Sequence, residues 1–116
     1  MSARVAPAAA LRAAQYAAEV LDRALANTGV CRDQIRGWVL HSGGKDVLIA
    51  LRERLKLRET DLRWSEAVLA EFGNLSSPTV LFILQRALAG GAPGGLWWMS
   101  SFGAGFSCAG ALLQVG

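Results

Sequence analysis

Apolar residues recur at steps of three and four along the first quarter of the chain, which is the spacing of one face of an α-helix. The positions that follow this spacing are Leu11, Ala14, Ala18, Leu21 and Leu25. Pro7 suits a first helical turn, and Gly29 suits a C-terminal stop. The pattern therefore predicts a first helix from about Ala6 to Asn27.

The periodicity changes after this helix. A short apolar run from Gly37 to His41 predicts a β-strand, and the two glycines that follow soon after it predict a turn. Leu48, Leu51 and Leu55 then return to helical spacing and mark one face of a second helix. The chain is thus expected to pass from strand to helix directly after its only histidine.

Two further helices are predicted, each with a serine as its N-cap. Ser65 caps the third helix, which ends at Gly73, and Ser77 caps the fourth, with Pro78 at its first position. The apolar residues assigned to the packed side are Val68, Leu69 and Phe72 in the third helix and Leu81, Leu84 and Leu88 in the fourth.

The C-terminal segment from Ala87 to Gly116 carries no charged residue and is long enough to span a bilayer. Gly103 and Gly105 interrupt its apolar run at the middle, as a tight loop between two buried strands would. We therefore favour two strands, with a membrane span as the alternative. The order helix, strand, helices, strand, strand predicts an α/β domain with helices packed on a mixed β-sheet.

Composition narrows the possible functions. The length of 116 residues fits one domain, and the net charge of +3 comes from cations spread along the chain rather than from the clustered basic face that nucleic-acid binding usually needs. Cys31 and Cys108 lie far apart, and the single histidine offers no second ligand, so we expect no metal site, no disulfide and a reducing, cytoplasmic setting. The alanine-rich N-terminus contains recurring charges and does not resemble a signal peptide.

Three stretches resemble one family in their order and spacing. The stretches are "WVLHSGGKDVL", "EFGNLSSPTVLFIL" and "SFGAGFSCAGALL". They are similar to the histidine-Pro-Gly-Gly segment, the Gly-Asn-(Met/Leu)-Ser-Ser segment and the Gly-Phe-Gly-Pro-Gly loop of type III polyketide synthases, the chalcone and stilbene synthase family. The resemblance covers the chain from about Val5 onward and implies the C-terminal half of a thiolase-like fold.

The resemblance also implies a catalytic site. The family uses a Cys-His-Asn set, in which His41 and Asn74 match the last two members. The substrate-binding positions that it implies are Ser76, Phe102, Gly103 and Gly105. Each residue also has a structural interpretation: a buried histidine at a strand end, a helix-end asparagine, a capping serine and ordinary strand-turn packing. The two kinds of role are compatible for the asparagine.

Some residues depart from the family pattern. Ser42 and Ala104 stand where the family has proline, so both loops lack the backbone restriction that proline would impose there. The sequence is also similar to the initiating ketoacyl-ACP synthases, a sister family and an alternative source of this fragment. Lys45 and the "GNLSS" stretch favour the polyketide synthases.

The length sets the functional expectation. Residues 1–116 correspond to the C-terminal half alone, and neither Cys31 nor Cys108 matches the nucleophilic cysteine, which belongs to the N-terminal half. The resemblance implies an acyltransferase half-domain that acts on acyl-CoA and malonyl-CoA, without a metal or other cofactor, when a complementary N-terminal half or a full-length synthase supplies the rest. The alternative is a non-catalytic remnant or binding module. We also expect an exposed apolar face and a homo-oligomer.

Overall fold

The computed structural model describes residues 8–41, 44–72, 79–102 and 108–116. Their helices are α1 (Ala8–Thr28), α2 (Lys45–Leu55), α3 (Arg63–Phe72) and α4 (Thr79–Ala89), and their strands are β1 (Ile35–Leu40), β2 (Gly95–Phe102) and β3 (Cys108–Val115). Short 3₁₀ helices at Arg32–Gln34 and Glu59–Leu62 precede β1 and α3. The element order predicted from the sequence is confirmed.

The strands form a mixed sheet in the order β1-β2-β3. β1 is parallel to β2, with Leu40 opposite Ser100, and β2 is antiparallel to β3, with Phe102 opposite Cys108. Because parallel strands share their direction, the carboxyl ends of β1 and β2 lie at the same end of the sheet. At this end of the sheet, His41 follows β1 directly and Phe102 is the last residue of β2.

Helices cover both faces of the sheet. Trp38, Leu40 and Trp98 pack with α1 and α2 in one cluster. Val39 and Trp97 pack in a second cluster with residues of α3 and α4. Successive strand residues point to opposite faces, so the neighbours Trp97 and Trp98 anchor different layers. Both indoles are buried.

Glycines provide the space for these indoles. A Cβ atom on Gly37 would lie 2.7 Å from the Trp97 ring, and one on Gly110 would lie 2.3 Å from the Trp98 ring. Real Cβ atoms do not approach other atoms so closely. A methyl group added at either glycine would therefore require the indole next to it to move. The indoles of Trp97 and Trp98 thus each lie against a residue without a side chain.

The buried face of α1 consists almost entirely of alanine. Its buried residues are Ala10, Ala13, Ala14, Ala17, Ala18 and Leu21. Small side chains permit a short distance between helix axes, and α1 packs closely along α2. Leu11, which the periodicity assigned to this face, is half exposed instead.

Two details of the predicted helices are wrong. α3 begins at Arg63, so Ser65 lies inside the helix rather than at its N-cap. In α4 the buried residues are Thr79, Ile83 and Ala87, whereas Leu81 and Leu88 are 60% and 53% exposed. Ile83 and Ala87 are also four residues apart, so helical spacing alone did not distinguish the two faces.

The alternative of a membrane span in the C-terminal segment is contradicted where the structure describes it. Its described residues form β2 and β3, paired antiparallel through their full length. Within residues 8–41, 44–72, 79–102 and 108–116, no helix is long and apolar enough to cross a membrane.

Candidate functional site

His41, predicted to be the last residue of a strand, lies immediately after β1, which ends at Leu40. His41 is 5% exposed, and its backbone N–H donates to the Ser100 carbonyl over 2.9 Å, which extends the ladder between β1 and β2 by one residue. The main chain at this position is therefore fixed by the sheet. A buried imidazole at the carboxyl end of a parallel strand is well placed to act on a ligand at that end.

The imidazole contacts the neighbouring strand through its side chain. The Nδ1 atom of His41 lies 3.2 Å from the Oγ atom of Ser101. The register explains this contact: Leu40 is opposite Ser100, so the next two residues, His41 and Ser101, are neighbours on one face. The hydrogen bond fixes the ring relative to β2.

The end of β1 is also held from its other edge. The backbone N–H of Leu40 donates to the Oγ atom of Ser65 in α3 over 3.4 Å. Backbone groups alternate in direction along a strand, so this N–H points away from β2, opposite to that of His41. Ser65, which was predicted to be a helix cap, therefore accepts a hydrogen bond from the edge of β1 next to the candidate site.

A shallow groove of about 170 Å³ lies beside this end of the sheet. Its lining residues are Val80 of α4, Met99, Ser100 and Ser101 of β2, and Ala109, Gly110 and Ala111 of β3. The first turn of α4 and the histidine-bonded serine thus meet at one place. A larger cavity of about 340 Å³ lies between α2 and α3, and neither His41 nor Phe102, the two predicted site residues that the structure describes, lines it.

The other predicted site residues divide into two groups. Asn74, Ser76, Gly103 and Gly105 lie outside the described residues. Phe102 is described: it ends β2 at the same end of the sheet as His41, but its side chain packs against the cluster formed with α1 and α2. Its proposed contact with substrate stays a prediction.

Both cysteines are free thiols. Cys31 is exposed, whereas Cys108 begins β3, and partial burial raises the pKa of its thiol above the ordinary value of 9.0. A raised pKa leaves less thiolate at neutral pH, and the thiolate is the nucleophilic form. The described residues contain no group of three or more His, Cys, Asp and Glu side chains able to hold a metal ion.

Ser101 was not among the site residues predicted from the sequence. The signal was present: "SFGAG" aligns with Gly-Phe-Gly-Pro-Gly, so Ser101 stands at the first glycine of that motif. A serine at a glycine position of the motif is a departure that the sequence alone shows. Its contact with His41 requires the strand register, which no local pattern provides.

Solved structures with this architecture define the class of the protein. The chain matches 1,3,6,8-tetrahydroxynaphthalene synthase from Streptomyces coelicolor A3(2), a bacterial type III polyketide synthase, with a TM-score of 0.78 and 26% identity, over 95% of this chain and 31% of that one. It matches PKS-I from the brown alga Ectocarpus siliculosus with a TM-score of 0.73 and 34% identity, over 89% of this chain and 30% of that one. The described residues thus share part of the thiolase-like fold of type III polyketide synthases.

Sequence relatives and a family profile identify the family. The profile "Chalcone and stilbene synthases, C-terminal domain" matches residues 11–114, so the chain belongs to this family. It is 38% identical to a 3,5-dihydroxyphenylacetyl-CoA synthase of Amycolatopsis balhimycina over 85% of this chain and 27% of that protein. It is 39% identical to the Streptomyces toyocaensis enzyme of the same name over 85% of this chain and 26% of that protein. The chain thus spans about a quarter of the length of these relatives.

Proposed function

We propose that residues 1–116 form the C-terminal catalytic half-domain of a type III polyketide synthase. In this proposal the half-domain takes part in the decarboxylative condensation of malonyl-CoA onto an acyl-CoA starter. The nucleophilic cysteine comes from the N-terminal half of such a synthase. The substrates are CoA thioesters, no metal or other cofactor is needed, and the two free thiols are consistent with a cytoplasmic setting.

His41 and Asn74 stabilise the charge that develops during the reaction. Loss of carbon dioxide from malonyl-CoA breaks a C–C bond and leaves its electron pair on an enolate. An imidazole Nε2–H and an asparagine amide donate hydrogen bonds to the enolate oxygen. The enolate carbon then attacks the acyl thioester on the partner's cysteine and expels the thiolate. Ser76, Phe102, Gly103 and Gly105 line the acyl cavity in this proposal.

The observation that carries the proposal is the position of His41. The only imidazole of the chain is buried at the carboxyl end of a parallel strand, with backbone and side chain both hydrogen-bonded to β2. Electrostatic catalysis depends on donors that are fixed before the reaction. The two hydrogen bonds fix the position of the imidazole before any ligand binds.

The exposed apolar residues of α4 indicate a surface that another polypeptide segment covers. Leu81 and Leu88 are seven residues apart, so they lie on one side of the helix, and both are more than half exposed. Phe82, on an adjacent side of the helix, is 47% exposed. Large apolar side chains grouped on one helix face are typical of an interface. We propose that the N-terminal half covers this stripe and that a second copy of the chain covers it when that half is absent.

The same stripe favours a second candidate function. A non-catalytic module that pairs with full-length relatives would need the α4 surface but would not need His41. The two candidates therefore differ in the effect of changing the histidine.

The test is a reconstitution assay. The chain is expressed with and without the N-terminal part of a 3,5-dihydroxyphenylacetyl-CoA synthase and supplied with radiolabelled malonyl-CoA and an acyl-CoA starter. We expect no labelled polyketide from the chain alone and labelled product from the pair. His41→Ala and Asn74→Ala should each lower product formation by about 100-fold or more, the usual cost of removing an oxyanion-hole donor.

Cysteine variants provide the controls. Cys31→Ser and Cys108→Ser should leave turnover of the reconstituted pair largely unchanged, because neither thiol carries the acyl group. Product from the chain alone that disappears with either variant would overturn the proposal. Pairing without product, unaffected by His41→Ala, would favour the non-catalytic module.

A further inference from the structure

The contact between His41 and Ser101 points to a role for the serine that the family motif does not supply. Both residues lie on the α4 side of the sheet, adjacent in register across β1 and β2. The Nδ1 and Oγ atoms are 3.2 Å apart, within hydrogen-bond range. Glycine occupies the position of Ser101 in the Gly-Phe-Gly-Pro-Gly motif and has no hydroxyl to offer. The hydrogen bond is therefore a feature of this chain's own sequence.

The direction of this contact and the tautomer of the imidazole are linked. A neutral imidazole donates from one ring nitrogen and accepts at the other. A serine hydroxyl can rotate to donate its proton to Nδ1, and this donation leaves the imidazole proton on Nε2. The partner of one ring nitrogen thereby sets the protonation of the other.

We propose that Ser101 is a positioning residue that holds neutral His41 in the tautomer with its proton on Nε2. The catalytic meaning of this tautomer rests on the proposed function, in which Nε2 donates to the enolate oxygen. The tautomer itself does not depend on that function. The fixed main chain of β2 prevents Ser101 from moving away, because the backbone carbonyl of the preceding residue, Ser100, accepts from the His41 N–H over 2.9 Å.

Nitrogen NMR measures the tautomer directly. The chain has one histidine, so ¹⁵N-labelled imidazole gives one Nδ1 and one Nε2 resonance, and at 12.3 kDa a monomer or dimer is suitable for this method. The spectra are recorded at a pH of about 8.5, above the range in which an ordinary imidazole titrates. We expect an N–H resonance for Nε2 and an acceptor-type resonance for Nδ1.

Three variants separate the hydroxyl from its surroundings. Ser101→Ala should lower the ratio of the Nε2–H to the Nδ1–H tautomer by roughly three- to tenfold, the worth of one neutral hydrogen bond. Ser101→Thr keeps a hydroxyl and should restore the ratio. Ser65→Ala is the matched control, because it removes a buried hydroxyl that binds Leu40, next to His41, and should leave the ratio unchanged.

Two results would overturn the proposal. One is a wild-type spectrum that shows the proton on Nδ1. This measurement does not depend on whether any variant folds. The other is a wild-type ratio in Ser101→Ala or, if that variant does not fold, in Ser101→Gly, which has the residue of the family motif. Near-UV circular dichroism establishes that each variant is folded.

The reconstituted pair gives an independent measurement. Ser101→Ala should lower kcat with KM little changed, and Ser101→Thr should restore it, whereas Ser65→Ala should not follow this pattern. An unchanged kcat in a folded Ser101→Ala variant would overturn the positioning role. If His41→Ala retains condensation, the proposed function fails while the tautomer result still stands.

Discussion

The contact between Gly110 and Trp98 predicts that a substitution at the exposed residue Gly110 destabilises the fold as a substitution in the core would. Gly110 itself is exposed on β3, yet its missing Cβ atom would lie 2.3 Å from two carbons of the Trp98 ring. Its backbone is outside the positive-φ region, so alanine causes no backbone strain. The variant Gly110→Ala therefore tests steric overlap alone.

Two opposing effects set the magnitude. Alanine in place of glycine within a strand stabilises the folded state by roughly 0.5–1 kcal/mol, because it reduces the entropy of the unfolded chain. Overpacking a filled core costs roughly 1–3 kcal/mol. The distance of 2.3 Å from the added Cβ atom to the ring is far shorter than a van der Waals contact between carbons, and the Trp98 ring is 1% exposed, so the upper part of this range applies. We expect a net loss of about 2 kcal/mol in the free energy of unfolding.

Urea unfolding followed by tryptophan fluorescence measures this loss at fixed protein concentration. The matched background is Trp98→Leu, in which the ring is absent and Gly110→Ala should become neutral or stabilising. This double-mutant cycle isolates the contact. A Gly110→Ala chain as stable as the wild type, or the same loss in both backgrounds, would refute the steric explanation.

Further predictions concern the thiols and the α4 stripe. At pH 8, iodoacetamide should modify exposed Cys31 faster than Cys108, because burial raises the pKa of the Cys108 thiol; equal rates would contradict this. The folded state holds that proton more tightly than the unfolded state, so the free energy of unfolding should fall as pH rises above about 9, and Cys108→Ala should reduce this fall. The chain alone should oligomerise, as sedimentation measures, and Leu81→Glu with Leu88→Glu should produce monomers. Leu11→Glu, at an equally exposed leucine on α1, should not.

The sequence was sufficient for the order of elements, because each helix and strand has a local signal. The apolar run before His41 and the two strands at the C-terminus are confirmed, as is the family expected from three short segments. No single residue indicates whether a strand runs parallel or antiparallel to its neighbour, because strand direction depends on how the elements are connected and packed. The family resemblance therefore contributed most to the fold class.

The faces of helices were harder to predict where apolar residues surround the helix. In α4 both Leu84 and Leu88 fit the helical period, but the sheet selects Ile83 and Ala87, and Leu88 remains exposed. Ser65 was assigned to a cap from its neighbours in sequence, but its partner is Leu40, 25 residues away. Contacts between distant segments, including that of His41 with Ser101, depend on register and packing that a single sequence does not encode locally.

The alanine face of α1 restricts how this helix can change during evolution. A single-base change in an alanine codon gives valine, threonine, proline, aspartate, glutamate, serine or glycine, and only the last two are near alanine in size. Five buried alanines along α1 therefore make most accessible substitutions too large for the space beside α2 or incompatible with a buried helix. Sequence drift in α1 should be confined to its exposed side.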